Sequence, residues 1–247
     1  MELARPQHQP GFPTKYATEA KDRQGSIFSQ KPYLACVDCN TGWMEKFEGA
    51  MGEFAKPIFT SFSEVTLARQ QLEIVAGWTA LIVVLAEFLD PDRKVVVPAS
   101  DREFLMNNLK PPDTWTIVGA TVNDAEWAAK YHHRATQIVQ FASKDEMRAS
   151  IRERRNSNTL ITTFGMGHLL LQTFVCPCQR FIADFRSIAK GIGLSQLWPI
   201  GPVGPWAIPR DVVRFPSKLV LNGTDADYIA DAYAARIEGM TVTPDQV

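Results

Sequence analysis

The sequence predicts an α+β fold, and three observations carry that prediction. Large apolar residues recur at helical spacing over 43–56 and again over 68–89. Short runs with β-branched residues stand at 114–122, 134–142 and 159–175. A last amphipathic stretch, "DYIADAYAARIEGM", closes the chain as a helix over about 225–238. Helices and strands mix in one chain, so the expected body holds a long buried helix and an antiparallel sheet.

In order, residues 1–30 read as loop, with Pro6, Pro10 and Pro13 and few large apolar residues. Residues 32–39 are expected as a short strand. Trp43, Phe47, Met51 and Phe54 share one helical face, and Pro57 is expected to stop that helix. From Ala68 to Leu89 the pattern turns apolar nearly all round, which marks a central buried helix. "DPDRK" (90–94) breaks it, and "VVV" (95–97) is expected as a strand. Ser100 with Glu103 reads as a capping box opening a helix over 101–110, ended by Pro111 and Pro112. Ser143 with Glu146 reads as a second box, before "MRASIRERR". "TLITTFGMGHLLLQTFV" gives two strands, or one bent at Gly165 and Gly167. "LWPIGPVGPWAIPR" (197–210) is too rich in Pro and Gly for regular structure and is expected to run extended, its tryptophans packed on the sheet. Two units are expected: residues 1–57, a short turn-plus-helix unit, and residues 58–247, the α+β body.

The net charge of −1 on 247 residues advertises no global affinity for polyanions, so any basic surface is local. The densest cluster is Arg148, Arg152 and Arg155, which share a face if 147–155 is helical and could then track phosphates; a solvated helix face is the plainer reading. The N-terminal residues lack the apolar run of a signal peptide. The longest uncharged apolar run, "AGWTALIVVLA" (76–86), is too short to span a bilayer, so no membrane association is expected. A cytoplasmic location with reduced thiols is the expectation from four cysteines and no export signal. No phosphate loop, dinucleotide fingerprint, nucleophile elbow or H-E-x-x-H stands in the chain.

The most specific stretch is "ACVDCNTGWMEKFEGAM", residues 35–51. Cys36 and Cys39 form a C-x-x-C pair, ordinarily half of a four-ligand metal site. Asn40 follows at once, at the start of the amphipathic run. "CVDCNTGWMEKFE" resembles a bacterial and phage group of HNH-endonuclease-type proteins with a C-x-x-C-N-x-G-W-M core. "GWTALIVVL", "FGMGHLLLQTFV" and "LWPIGPVGPWAIP" follow in that group's order, so the resemblance covers about residues 33–210. It implies a partial treble-clef (ββα-like) unit over 1–57. It also implies Cys36 and Cys39 as ligands of a structural zinc, and Asn40 as a ligand of a catalytic Mg or Mn. Glu48 falls at the group's Glu position.

The departures are as informative. That group carries an earlier C-x-x-C and a Glu-His strand whose His activates water. Here no cysteine precedes Cys36, Lys31 stands where an Asn is expected, and Leu81 replaces the Lys of W-x-x-K. His8, in "PQHQP", is the one upstream histidine and hence the candidate catalytic base. Cys176 and Cys178, in "CPC", are candidate completing ligands for an all-cysteine zinc site with Cys36 and Cys39. Against that, a single intervening residue leaves little room to wrap an ion. Adjacent His132 and His133 point to opposite faces of a strand and read as structural, as does His168. Trp43 reads as packing against the turn rather than as a base-stacking platform.

Three functions fit. The first is a degenerate or truncated HNH-endonuclease-type protein that binds nucleic acid or a protein partner without robust catalysis. The second is an active metal-dependent HNH endonuclease. The third is a structural or interaction protein whose C-x-x-C staples a turn.

Overall fold

The computed structural model describes residues 35–62, 65–89, 95–123, 131–136, 138, 157–201, 212–215, 217–219, 228–230 and 232–233. The expected second capping box and the basic run 147–155 lie outside them. The fold is α+β, as the pattern predicts.

The first elements are helical. Cys36 is extended and caps a single turn, α1 (Val37–Cys39). A π-helical turn over Asn40–Met44 follows, kinked at Gly42, and leads into α2 (Glu45–Phe54). No strand enters the C-x-x-C turn from residue 35 onward, contrary to expectation. The thiol of Cys36 and the backbone N–H of Cys39 close a helical turn instead. Nor does Pro57 simply stop the helix. It stands in the first turn of a second short helix, α3 (Lys56–Thr60), where a missing N–H costs nothing.

β1 (Val65–Ala68) is a strand the sequence reading missed, and it runs directly into α4 (Arg69–Leu89). The Gln71 side-chain oxygen accepts the Ala68 N–H at 2.8 Å, one half of a capping box. Val75, Ala76, Ala80, Leu81 and Val83 of α4 are buried, as the all-round apolar pattern predicts. By length and composition α4 could cross a membrane, but most of it is buried inside the fold. At Gly77 it passes so close to α2 that an added Cβ would overlap the Phe47 ring and lie 2.6 Å from the Leu109 carbonyl oxygen.

The expected strand at 95–97 is not one. Val96 and Val97 donate their N–H groups, at 2.7 and 2.9 Å, to one carboxyl oxygen of Glu87, which is 0% exposed. The next helix, α5 (Ala99–Asn108), has Pro98 at its N-cap and no side-chain cap, so the Ser100–Glu103 box does not form. Asp101 accepts from the Trp115 indole at 2.8 Å.

The main sheet contains β2 (Thr116–Val122), β3 (Tyr131–Thr136), β4 (Thr159–Met166), β5 (Leu169–Val175) and β6 (Ser195–Trp198). They lie in the order β3-β4-β5-β2-β6, each antiparallel to its neighbour. β3 begins earlier than the 134–142 expected, and residues 137 and 139–142 lie outside the described ones. The free edge of β2 is shared. β6 covers Ile117 to Gly119, and β8 (Ser217–Leu219) pairs in parallel with Ala120 to Val122. β7 (Val212–Phe215) pairs with β1 as a separate two-stranded ribbon.

Both faces of the sheet are covered, and β2 and β5 are buried at every position. One face, with Ile117, Leu160, Phe164 and Leu171, packs with α2 and α4 through Phe47, Met51 and Val75. The other, with Val118, Ile161, Leu170 and Phe174, packs with α6 (Gln179–Gly191) and the helical residues 228–230 and 232–233. Phe174, Phe185 and Tyr233 form an aromatic triangle with ring centres 4.8 to 5.1 Å apart. Met44, Phe47 and Met51 belong to the same core as α4 and the sheet.

The β4–β5 hairpin turns at Gly167, whose φ of +59° is left-handed. The next residue, His168, donates its N–H to the Phe59 carbonyl at 3.0 Å, tying the turn to α3. Its ring Nδ1 lies 2.8 Å from the Val122 carbonyl oxygen, so it donates there.

Candidate metal centre

The C-x-x-C turn sits where the helical run begins, at the solvent-facing end of α1. Cys36 Sγ accepts the Cys39 N–H at 3.3 Å, and the Asn40 N–H donates to the Cys36 carbonyl at 3.0 Å. Thr41 Oγ1 donates to the Val37 carbonyl at 2.9 Å. These bonds fix Cys36 and Cys39 on one turn of backbone. Cys36, Val37, Asp38 and Asn40 are exposed and Cys39 is half-buried. Three residues into α2, Phe47 points the other way and is buried, so the helix anchors in the core while its first turn faces water.

The two thiols are electrostatically unequal. The Cys39 N–H, and then the Cys39 thiol, donate toward Cys36 and hold its pKa below the ordinary thiol value. Cys39 is pushed the opposite way, first because its proton is held in the bond to Cys36. The Trp43 indole pulls against that rise. Its Nε1 is nevertheless buried and meets hydrogen-bond geometry with no acceptor. Trp43 is half-buried and stands edge-on to Phe47, ring centres 6.1 Å apart. Its packing role was legible in the sequence; its stranded N–H was not.

Differential alkylation checks this inequality. Because the thiolate is the nucleophile, Cys36 is expected to react with iodoacetamide several-fold faster than Cys39 at mildly alkaline pH. The gap narrows as pH rises through the thiol range. Cys176 is buried, which raises its pKa, and is expected to react only on unfolding. Peptide mass mapping reads all three rates, and equal labelling of Cys36 and Cys39 would contradict the assignment.

The other sequence candidates fall elsewhere. Cys176 directly follows β5, where its sulfur accepts from Thr159 Oγ1 at 3.4 Å and from the Cys178 N–H at 3.3 Å. Both Cys176 and Cys178 pack in the core on the α6 side of the sheet, not beside Cys36 and Cys39. Among the described residues no group of three or more His, Cys, Asp or Glu is gathered for a metal. Glu45 and Glu48 are exposed in the first turn of α2. His132 and His133 lie on opposite faces of β3, and His133 Nδ1 meets Thr162 Oγ1 at 2.9 Å. His8, Arg148, Arg152 and Arg155 lie outside the described residues.

The donor chemistry suits a thiophilic cation such as zinc, since two sulfurs stand on one tight turn. They make half of a tetrahedral shell. Compared with protein-family models, with curated proteins and with solved structures, the chain matches none.

Proposed function

We propose that the protein is an HNH-endonuclease-type protein that keeps the helix-borne half of that centre and binds nucleic acid without robust phosphodiester hydrolysis. One observation carries the reading. The run Cys36-x-x-Cys39-Asn40 occupies the first exposed turn of a helix whose other side, through Phe47 and Met51, is buried in an α+β core. In an HNH-type centre that turn supplies two zinc thiolates, and the Asn after them faces the catalytic metal. Zinc here would pin the turn; Cys36 and Cys39 would hold it, and Asn40 would be presented beside it. Hydrolysis needs a histidine base as well. Of the three described histidines, His133 and His168 engage Thr162 and Val122 through Nδ1, and none of the three, His132 included, joins a metal-holding group with the thiol pair.

Fluorescence anisotropy with a labelled duplex and a labelled single strand tests the binding. The expected dissociation constant is on the order of 10 micromolar at physiological salt and weakens steeply as salt rises. Changing Arg148, Arg152 and Arg155 together to Ala is expected to weaken it and flatten the salt dependence. No salt-sensitive binding to DNA or RNA sinks the reading. Plasmid nicking with Mg or Mn that vanishes in both His8→Ala and Asn40→Ala would show an active nuclease instead.

A further inference from the structure

Among the described residues the thiol pair is short of a full ligand shell. A structural zinc-class cation takes four donors in a tetrahedron. No third ligand joins Cys36 and Cys39 among the described residues. Cys176 and Cys178 are committed to the far face of the sheet, and residues 1–35 contain no thiol.

Two further features surround the pair. The first is Trp43 Nε1, a buried donor at i+4 from Cys39 with no acceptor. A buried N–H without a partner is costly, and a thiolate sulfur at Cys39 is an acceptor within its turn. The second is Val37, which lies between the two cysteines in sequence and is 75% exposed, the most exposed of the described large apolar residues. An apolar side chain that exposed, between two candidate ligands, is a small surface open to cover.

We propose that two copies of this chain share one zinc-class cation, each supplying Cys36 and Cys39, with the two Val37 side chains covered across the two-fold axis and each Trp43 N–H donating to its Cys39 sulfur. The interface is isologous, the same turn meeting itself. Each cation displaces the protons of four thiols, giving a four-thiolate centre of net charge −2. The Cys39 and Trp43 N–H groups of both chains donate into that charge. The inference rests on the reading that this pair holds a metal.

The experiment uses the full chain, freed of metal, kept reduced and titrated with zinc. Bound zinc is measured by elemental analysis, and mass by native mass spectrometry and light scattering. The expected result is half an equivalent of zinc per chain and a dimer that chelation returns to monomer. One zinc on a monomeric chain overturns the shared site and leaves the metal-holding pair standing. Zinc uptake no greater than that of a Cys36→Ser, Cys39→Ser double variant overturns both. Val37→Glu, at a surface position, is expected to keep the fold and weaken the zinc-loaded dimer at least tenfold; an unchanged dimer overturns the symmetric packing. Trp43→Phe keeps an aromatic ring beside Phe47 but lacks the donor. Its zinc dissociation constant is expected to rise about tenfold with helical circular dichroism unchanged, and an equal constant removes Trp43 from the centre.

Discussion

Glu87→Ala is expected to cost about 4 kcal/mol of folding stability, from two stranded hydrogen-bond donors and the cavity left behind. In the native fold one carboxyl oxygen of Glu87 receives the N–H groups of both Val96 and Val97, at 2.7 and 2.9 Å, in a fully buried setting. Those residues pair with no strand, so the side chain is the acceptor that lets the segment after α4 pass through the interior. A domain has about 5–15 kcal/mol in total, so most of the margin goes. Glu87→Gln retains an acceptor oxygen and is expected to cost clearly less. Urea unfolding followed by circular dichroism measures both. A loss under about 1 kcal/mol for the alanine variant would mean that water or a backbone shift replaces the carboxyl.

Gly167→Ala is expected to be nearly as severe, roughly 3 kcal/mol or more. The residue adopts a φ of +59°, which any side chain resists. An added Cβ would also overlap the Phe59 carbonyl oxygen, the same atom that accepts the His168 N–H. Relief would require the hairpin turn to part from α3. The internal control is Gly52→Ala on the exposed side of α2, where an added Cβ meets nothing within 4 Å. There the better helix propensity of Ala is expected to stabilise by up to about 1 kcal/mol. If both variants unfold at the wild-type urea midpoint, the packing account of Gly167 is wrong.

How much of this could be read in the sequence depended on how local the cause was. α4 was legible because its apolar residues stand on all sides of one continuous helix. The β4–β5 hairpin was legible in part: two strands or one bent strand were open, and the turn falls at Gly167 while Gly165 lies within β4. The run 95–97 misled, because β propensity says nothing about a carboxyl group on the preceding helix. β1 escaped notice because its partner, β7, lies far along the chain, with Val65 opposite Phe215. The capping box failed because Pro98 took the N-cap first. In the candidate site, spacing alone showed Cys36, Cys39 and Asn40. It could not show that Trp43 hides its N–H, because that depends on the π-helical turn shifting the helical phase and on Phe47 lying beside it. Nor could it separate the "CPC" thiols from the first pair, since only the sheet puts them on opposite sides of the fold.

The divided edge of β2 bears on how the protein is made. The strand ends at Val122, and the residues that close the second half of its edge begin at Ser217. At about 5–20 residues per second, a ribosome leaves that half of the edge open for roughly 5–20 seconds. During that interval a run of apolar backbone offers unpaired N–H and C=O groups to any neighbouring nascent chain. Crowded polysomes and slow translation are therefore the conditions under which this chain is most exposed to misassembly, and faster completion of the chain or a bound chaperone protects it.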